Sequence, residues 1–170
     1  GHGGPGMNII GDSVLALWTT TVVSPALDAA YAGMLFHEEL VYMRMYDAQP
    51  GAPGGCGYPW HYAFTGQFVA QYMYFVPNSF VYICACESDS VASLRNGFKL
   101  AGASTFAGWS KVVHVAPALK AHEFMFDRLL GSNASTLTPI EHPKQRPFDI
   151  DLVWQDMKNR GFDTDILPPG

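Results

Sequence analysis

The run Phe80-Val81-Tyr82-Ile83-Cys84 constrains most strongly what this chain can fold into. Five consecutive apolar residues, cut off by Glu87-Ser88-Asp89-Ser90, read as a short strand buried on both faces. The polar turn stops the strand where a helix can start. Cys86 sits between the two, at the carboxyl end of the strand. An α/β fold places reactive groups at that point, and a helix N-terminus beside a thiol favours its thiolate. Cys86 is therefore either a nucleophile or a small buried side chain.

The segments after it extend the pattern. Ser90–Ala101 reads as a helix with Val91, Leu94 and Phe98 on its inner face, ended by Gly102. Ala103–Trp109 reads as a second short buried strand. A helix follows over about 113–130, and Asp149–Arg160 reads as a last amphipathic helix closed by Gly161. Strand, helix, strand, helix from residue 80 onward predicts a parallel α/β sheet.

The first half is less regular. Residues 1–13 are rich in glycine and read as a loop, without the strand and the Lys-Ser/Thr of a phosphate-binding motif. Val14–Val23 is apolar with three threonines, a strand or an irregular packed segment. Ser24-Pro25 is a helix start, and Leu27, Ala30, Tyr31, Met34 and Leu35 follow at helical spacing. His37-Glu38-Glu39 to Tyr46 continues that helix or opens a second one. No second spaced histidine accompanies His37, so no metal site is expected there. Gln49–Tyr58 is a Pro/Gly loop carrying Cys56. In Trp60–Phe75 the residues Phe64, Phe68 and Tyr72 form a helical stripe, read as core packing.

The totals exclude several classes. With 48% hydrophobic and 15% charged residues in 170, the chain is folded and long enough for a sizeable core. Net charge is −5 and no basic run exists, so nucleic-acid binding is not expected. No apolar stretch reaches the roughly 18 residues of a membrane helix, and no membrane partner is expected. Three cysteines, Cys56, Cys84 and Cys86, do not make a disulfide framework, and Cys84-Ala85-Cys86 is too close for a usual zinc pair. No metal and no cofactor is expected. Free thiols fit a reducing compartment, but a secreted protein with one active thiol gives the same count, so localisation stays open. Asn133-Ala134-Ser135 is a glycosylation sequon only in a secreted eukaryotic protein.

Taken together, Gly1-His2-Gly3, the run Tyr82-Ile83-Cys84-Ala85-Cys86-Glu87-Ser88, and the later Ala101-Gly102-Ala103 and Gly108-Trp109 form an ordered set. It resembles the caspase-like cysteine peptidases (caspases, gingipains, separases) and most closely the CHAT domain. The resemblance covers mainly residues 1–4 and 80–130. It implies a single caspase-like α/β domain over 1–170, with a mostly parallel sheet flanked by helices. It further implies the C-terminal part of that domain, lacking the N-terminal strands, with a Pro/Gly-rich insert at about 49–59. The missing segment, or a regulatory partner, would then come from elsewhere.

The resemblance also implies a chemistry: a cysteine endopeptidase acting on protein or peptide substrates through a His2–Cys86 dyad. His2 would protonate the leaving amine and act as base in thioester hydrolysis. The backbone N–H groups of Gly3 and Cys86 would form the oxyanion hole. Asp89 is a candidate acid of the specificity pocket, or a cap of the next helix; Trp109 lines that pocket or belongs to the core. Cys84, two residues before Cys86, is the rival nucleophile. The alternative to a peptidase is a catalytically silent module of the same ancestry, acting in binding or scaffolding. The absence of a Gly-x-Ser-x-Gly elbow argues against a serine hydrolase.

Overall fold

The computed structural model describes residues 3–44, 59–130 and 149–165. It divides into two compact units, Gly1–Val112 and Val113–Gly170. His2, Cys56, most of the expected insert at 49–59 and the sequon lie outside the described residues.

The first unit begins with a β-hairpin of β1 (Gly3–Met7) and β2 (Ser13–Val22). Its turn is organised by buried Asn8, whose Oδ1 accepts from the N–H groups of Ile10 and Asp12 at 3.1 and 2.8 Å. The reading of residues 1–13 as a loop is therefore corrected. Glycines sit in β1 because other chain segments leave no room for side chains: a Cβ on Gly6 would meet Val41 Cγ2 at 2.5 Å. Glycine within a strand marks such close approaches.

After β2, Ser24 caps α1 (Pro25–Ala30), its Oγ accepting from the Leu27 N–H at 3.3 Å. The expected helix start is correct, but the helix is short. A turn of α2 (Ala32–Phe36) follows, and Glu38 then adopts φ +56°, which a continuing helix forbids. The chain emerges as β3 (Leu40–Met43), where a helix was expected. The aromatic stretch after residue 60 also divides. His61–Thr65 forms β4 and Gly66–Tyr72 forms α3, with buried Thr65 as the cap accepting from the Gln67 N–H at 3.1 Å. Phe64, Phe68 and Tyr72 still adjoin, with ring centroids 5.7 and 5.0 Å apart, although Phe64 is on the strand.

These four strands pair antiparallel in the order β1-β2-β4-β3, and the pair Met7↔Tyr42 closes the sheet on itself. The expectation of a mostly parallel caspase-like sheet is thus overturned. The glycine-rich and aromatic segments that looked like loop and helix supply an antiparallel sheet instead. Among the described residues only β5 (Phe80–Tyr82) and β6 (Thr105–Ala107) are parallel, joined by α4 (Ala92–Leu100).

β2 has two working faces, as the period-2 geometry of a strand requires. Ala16 turns inward with Val41, Met43 and Ala63. Leu15 and Leu17 point the other way, onto Val69, Val81, Ala85, Leu94 and Phe98. The second cluster fastens the β5-α4-β6 unit to the hairpin. Helices α3 and α4 cross so closely that a Cβ on Gly97 would overlap the backbone of Gly66.

In the second unit α5 (Val115–Leu130) and α6 (Ile150–Asn159) pack together. Asp149 caps α6, accepting from the N–H groups of Asp151 and Leu152 at 3.0 and 3.2 Å. Arg128 on α5 is 2.9 Å from Asp156 on α6.

Candidate active site around Cys86

β5 ends at Tyr82, and the chain then makes a tight turn through Ala85–Asp89 that carries Cys86. Cys84 and Cys86 are both half-buried. The turn is held from inside by Ser88, which is fully buried. Its hydroxyl donates to the Ala85 carbonyl at 2.8 Å, with the Ile83 carbonyl at 3.1 Å. It also accepts from the Trp109 N–H at 3.1 Å. Two main-chain bonds continue the tie: Glu87 N–H to the Lys111 carbonyl at 3.0 Å, and Asp89 N–H to the Trp109 carbonyl at 2.9 Å. Gly108 is required beside this lock, since a Cβ there would lie 2.7 Å from the Ser88 Oγ.

Glu87, the residue after the thiol, has φ +53°. A non-glycine residue in the left-handed region costs on the order of 1–2 kcal/mol. Strain of this kind persists only where neighbouring contacts enforce it. The Ser88 bonds and the Lys111 bond enforce it here, and together they fix where Cys86 stands.

β1 runs against the same turn. A Cβ on Gly3 would lie 2.6 Å from the Cys86 carbonyl oxygen, 3.1 Å from Leu17 Cδ2 and 3.4 Å from Ala85 Cβ. At Gly4 a Cβ would be 3.4 Å from Glu87 Oε2. Gly3 and Cys86 are thus brought together backbone to backbone. His2, the next residue along the chain from Gly3, lies outside the described residues.

Other expectations fare differently. The helix after Cys86 starts at Ala92 with Val91 as its cap, slightly later than the expected start at Ser90. Residues 86–89 form turns, so α4 does not place its N-terminus at the thiol as expected. Asp89 does not cap that helix. Its carboxylate is 3.0 Å from Arg95 Nε, while burial, outweighing the attraction of Arg95 and Lys99, raises its pKa above the usual carboxylate range. A basic substrate group would compete there with Arg95. Trp109 is half-buried beside Tyr82. Burial pushes the Tyr82 phenol up to about 12, opposed by the Trp109 indole and reinforced by the neighbouring Cys84. Cys84 therefore belongs to a cluster with Tyr82 and Trp109.

The reading from sequence missed Ser88 and Gly108 as positioning residues. A small hydroxyl two residues after the thiol and a glycine after the next strand carry their signal, which a reading of the polar turn as the mere lead-in to a helix passes over. Among the described residues no group of three His, Cys, Asp or Glu side chains is gathered as a metal site, and no helix is long and apolar enough to cross a membrane. Compared with protein-family models, curated proteins and solved structures, the chain matched none.

Proposed function

We propose that this protein is a cysteine peptidase in which Cys86 is the nucleophile and His2 its proton-transfer partner. The observation that carries this reading is the contact of Gly3 with the Cys86 main chain, at a separation that excludes any side chain on residue 3. His2 is one peptide bond from that contact. Trans-linked Cα atoms are about 3.8 Å apart, so an imidazole on residue 2 has the reach to meet a thiol on residue 86. Further support comes from the Tyr82–Ser88 motif, similar to the cysteine motif of CHAT peptidases, and from the strained turn that presents Cys86.

In this mechanism the Cys86 thiolate attacks the scissile carbonyl carbon, and the backbone N–H groups of Gly3 and Cys86 face the oxygen as it gains charge. His2 protonates the departing amine, and later takes a proton from the water that hydrolyses the thioester. Cys86 is preferred to Cys84 because it lies in the turn against Gly3, whereas Cys84 flanks Tyr82. Substrates are proteins or peptides.

A silent binding or scaffolding module is the second reading. The start of α4 at Ala92 favours it, because the thiol then lacks a helix N-terminus to promote its ionisation. Turnover of a fluorogenic peptide library separates the two. The peptidase reading expects cleavage by the wild type, lost in Cys86→Ala and His2→Ala and retained in Cys84→Ala. Full activity in both Cys86→Ala and His2→Ala overturns it.

A further inference from the structure

A cleft of about 290 Å³ opens between β2, α3 and α4, with a lining that does not include Cys86. Its polar lining includes Thr65, Gln67 and Asn96, and its apolar lining includes Leu15 and Leu100. Among the described residues Glu38 is the one charged side chain in the lining, and no basic residue is among the lining residues. The backbone that presents Glu38 is unusual. Its φ of +56° is held by the Thr65 Oγ1, which donates to the Glu38 carbonyl at 2.6 Å. One carboxylate oxygen accepts from the Asn8 Nδ2 at 2.6 Å, so the side chain is oriented from the hairpin turn. Gly66 and Gly97, where α3 and α4 meet backbone to backbone, both border the cleft.

We propose that this cleft is a binding site, separate from the thiol, for a small organic cation: a primary amine or guanidinium on a short aliphatic body. The charge complementarity is one-sided, since a single oriented carboxylate stands among neutral hydrogen-bonding groups. An anion would meet Glu38 without a balancing cation, and a neutral ligand would leave the carboxylate without its strongest class of partner. Leu15 and Leu100 provide apolar contact for a chain of a few methylenes, while Gln67 and Asn96 offer carbonyl oxygens to an ammonium.

The test uses the full chain and four probes: butylamine, putrescine, agmatine and, as the uncharged counterpart of the first, 1-butanol. Shifts of the Gln67 and Asn96 side-chain amide signals are followed by NMR. The expected result is saturable shifts with the amines and none with 1-butanol. Glu38→Gln keeps an acceptor for Asn8 and should weaken amine binding at least about tenfold, as loss of a charge-assisted hydrogen bond implies. Asn96→Lys, at an exposed helix position, places a competing ammonium in the cleft and should abolish binding without unfolding the chain. Equal binding of 1-butanol, absence of saturable shifts, or unchanged affinity in either variant overturns the proposal.

Discussion

Gly3→Ala examines the contact on which the site depends. The added methyl would lie 2.6 Å from the Cys86 carbonyl oxygen and 3.1 Å from Leu17 Cδ2. Carbon–oxygen contacts that short are repulsive, and the carbonyl belongs to a turn locked by Ser88 and Lys111, so it cannot swing aside cheaply. Overpacking of this kind costs about 1–3 kcal/mol. Replacing glycine by alanine returns about 0.4–1 kcal/mol by restricting the unfolded chain. The net expectation is a loss of about 0–2.6 kcal/mol. With a urea dependence of about 2 kcal/mol per molar, the unfolding midpoint should fall by up to roughly 1.3 M. Gly33→Ala is the matched control: nothing lies within 4 Å of its Cβ position and it sits in α2, so that variant should gain about 0.4–1 kcal/mol. Thiol reactivity of Cys86 should also change in Gly3→Ala and not in Gly33→Ala. A Gly3→Ala protein as stable as wild type, with the same Cys86 reactivity, would refute the contact.

Further expectations follow from the same contacts. Ser88→Ala leaves the Trp109 N–H without its acceptor inside the fold and should destabilise by about 1–3 kcal/mol in urea unfolding. Tyr62→Phe removes a bond of 2.7 Å to Asp28 Oδ1 and should cost about 1.5–3 kcal/mol at neutral pH. The folded-state pKa of Tyr62 is raised to about 12, by burial first and then by Asp28. Its neutral form is thus the one the fold favours: the associated stability is present below the ordinary value near 10 and is lost as pH rises towards 12. That alkaline loss should shrink in Tyr62→Phe, leaving the part carried by the similarly raised Tyr82. In the second unit, the Asp165 carboxyl is held below its usual range by the backbone N–H and then the imidazole of His114. An NMR titration of His114→Ala should show that carboxyl moved back towards, though not fully to, the ordinary value, because the backbone bond remains.

How much of this was legible in the sequence depended on whether the signal was local. Ser24-Pro25 announced a helix start because capping involves neighbours only. The apolar runs at 80–84 and 103–109 announced strands, and the helix between them made those two parallel. By contrast, β1 looked like a loop, since its glycines are explained by Val41 and by the Cys86 carbonyl, both distant in sequence. β3 was hidden by a break at Glu38 that owes its φ of +56° to a bond from Thr65. These two misreadings turned an antiparallel sheet into an expected parallel one. At the site, the position of Cys86 after a strand was legible, whereas the contact of Gly3 with its carbonyl joins segments more than eighty residues apart. The role of Ser88 was not, because the Trp109 N–H that it accepts from lies 21 residues away.

The most direct test of the central claim is the alkylation rate of Cys86 by iodoacetamide across pH, followed by peptide mapping in wild type and His2→Ala. An unperturbed thiol ionises near pH 8.5. The account predicts that Cys86 reacts rapidly well below that pH, ahead of Cys84 and Cys56, and slows when His2 is removed. Three thiols with the ordinary profile, unchanged in His2→Ala, would contradict it.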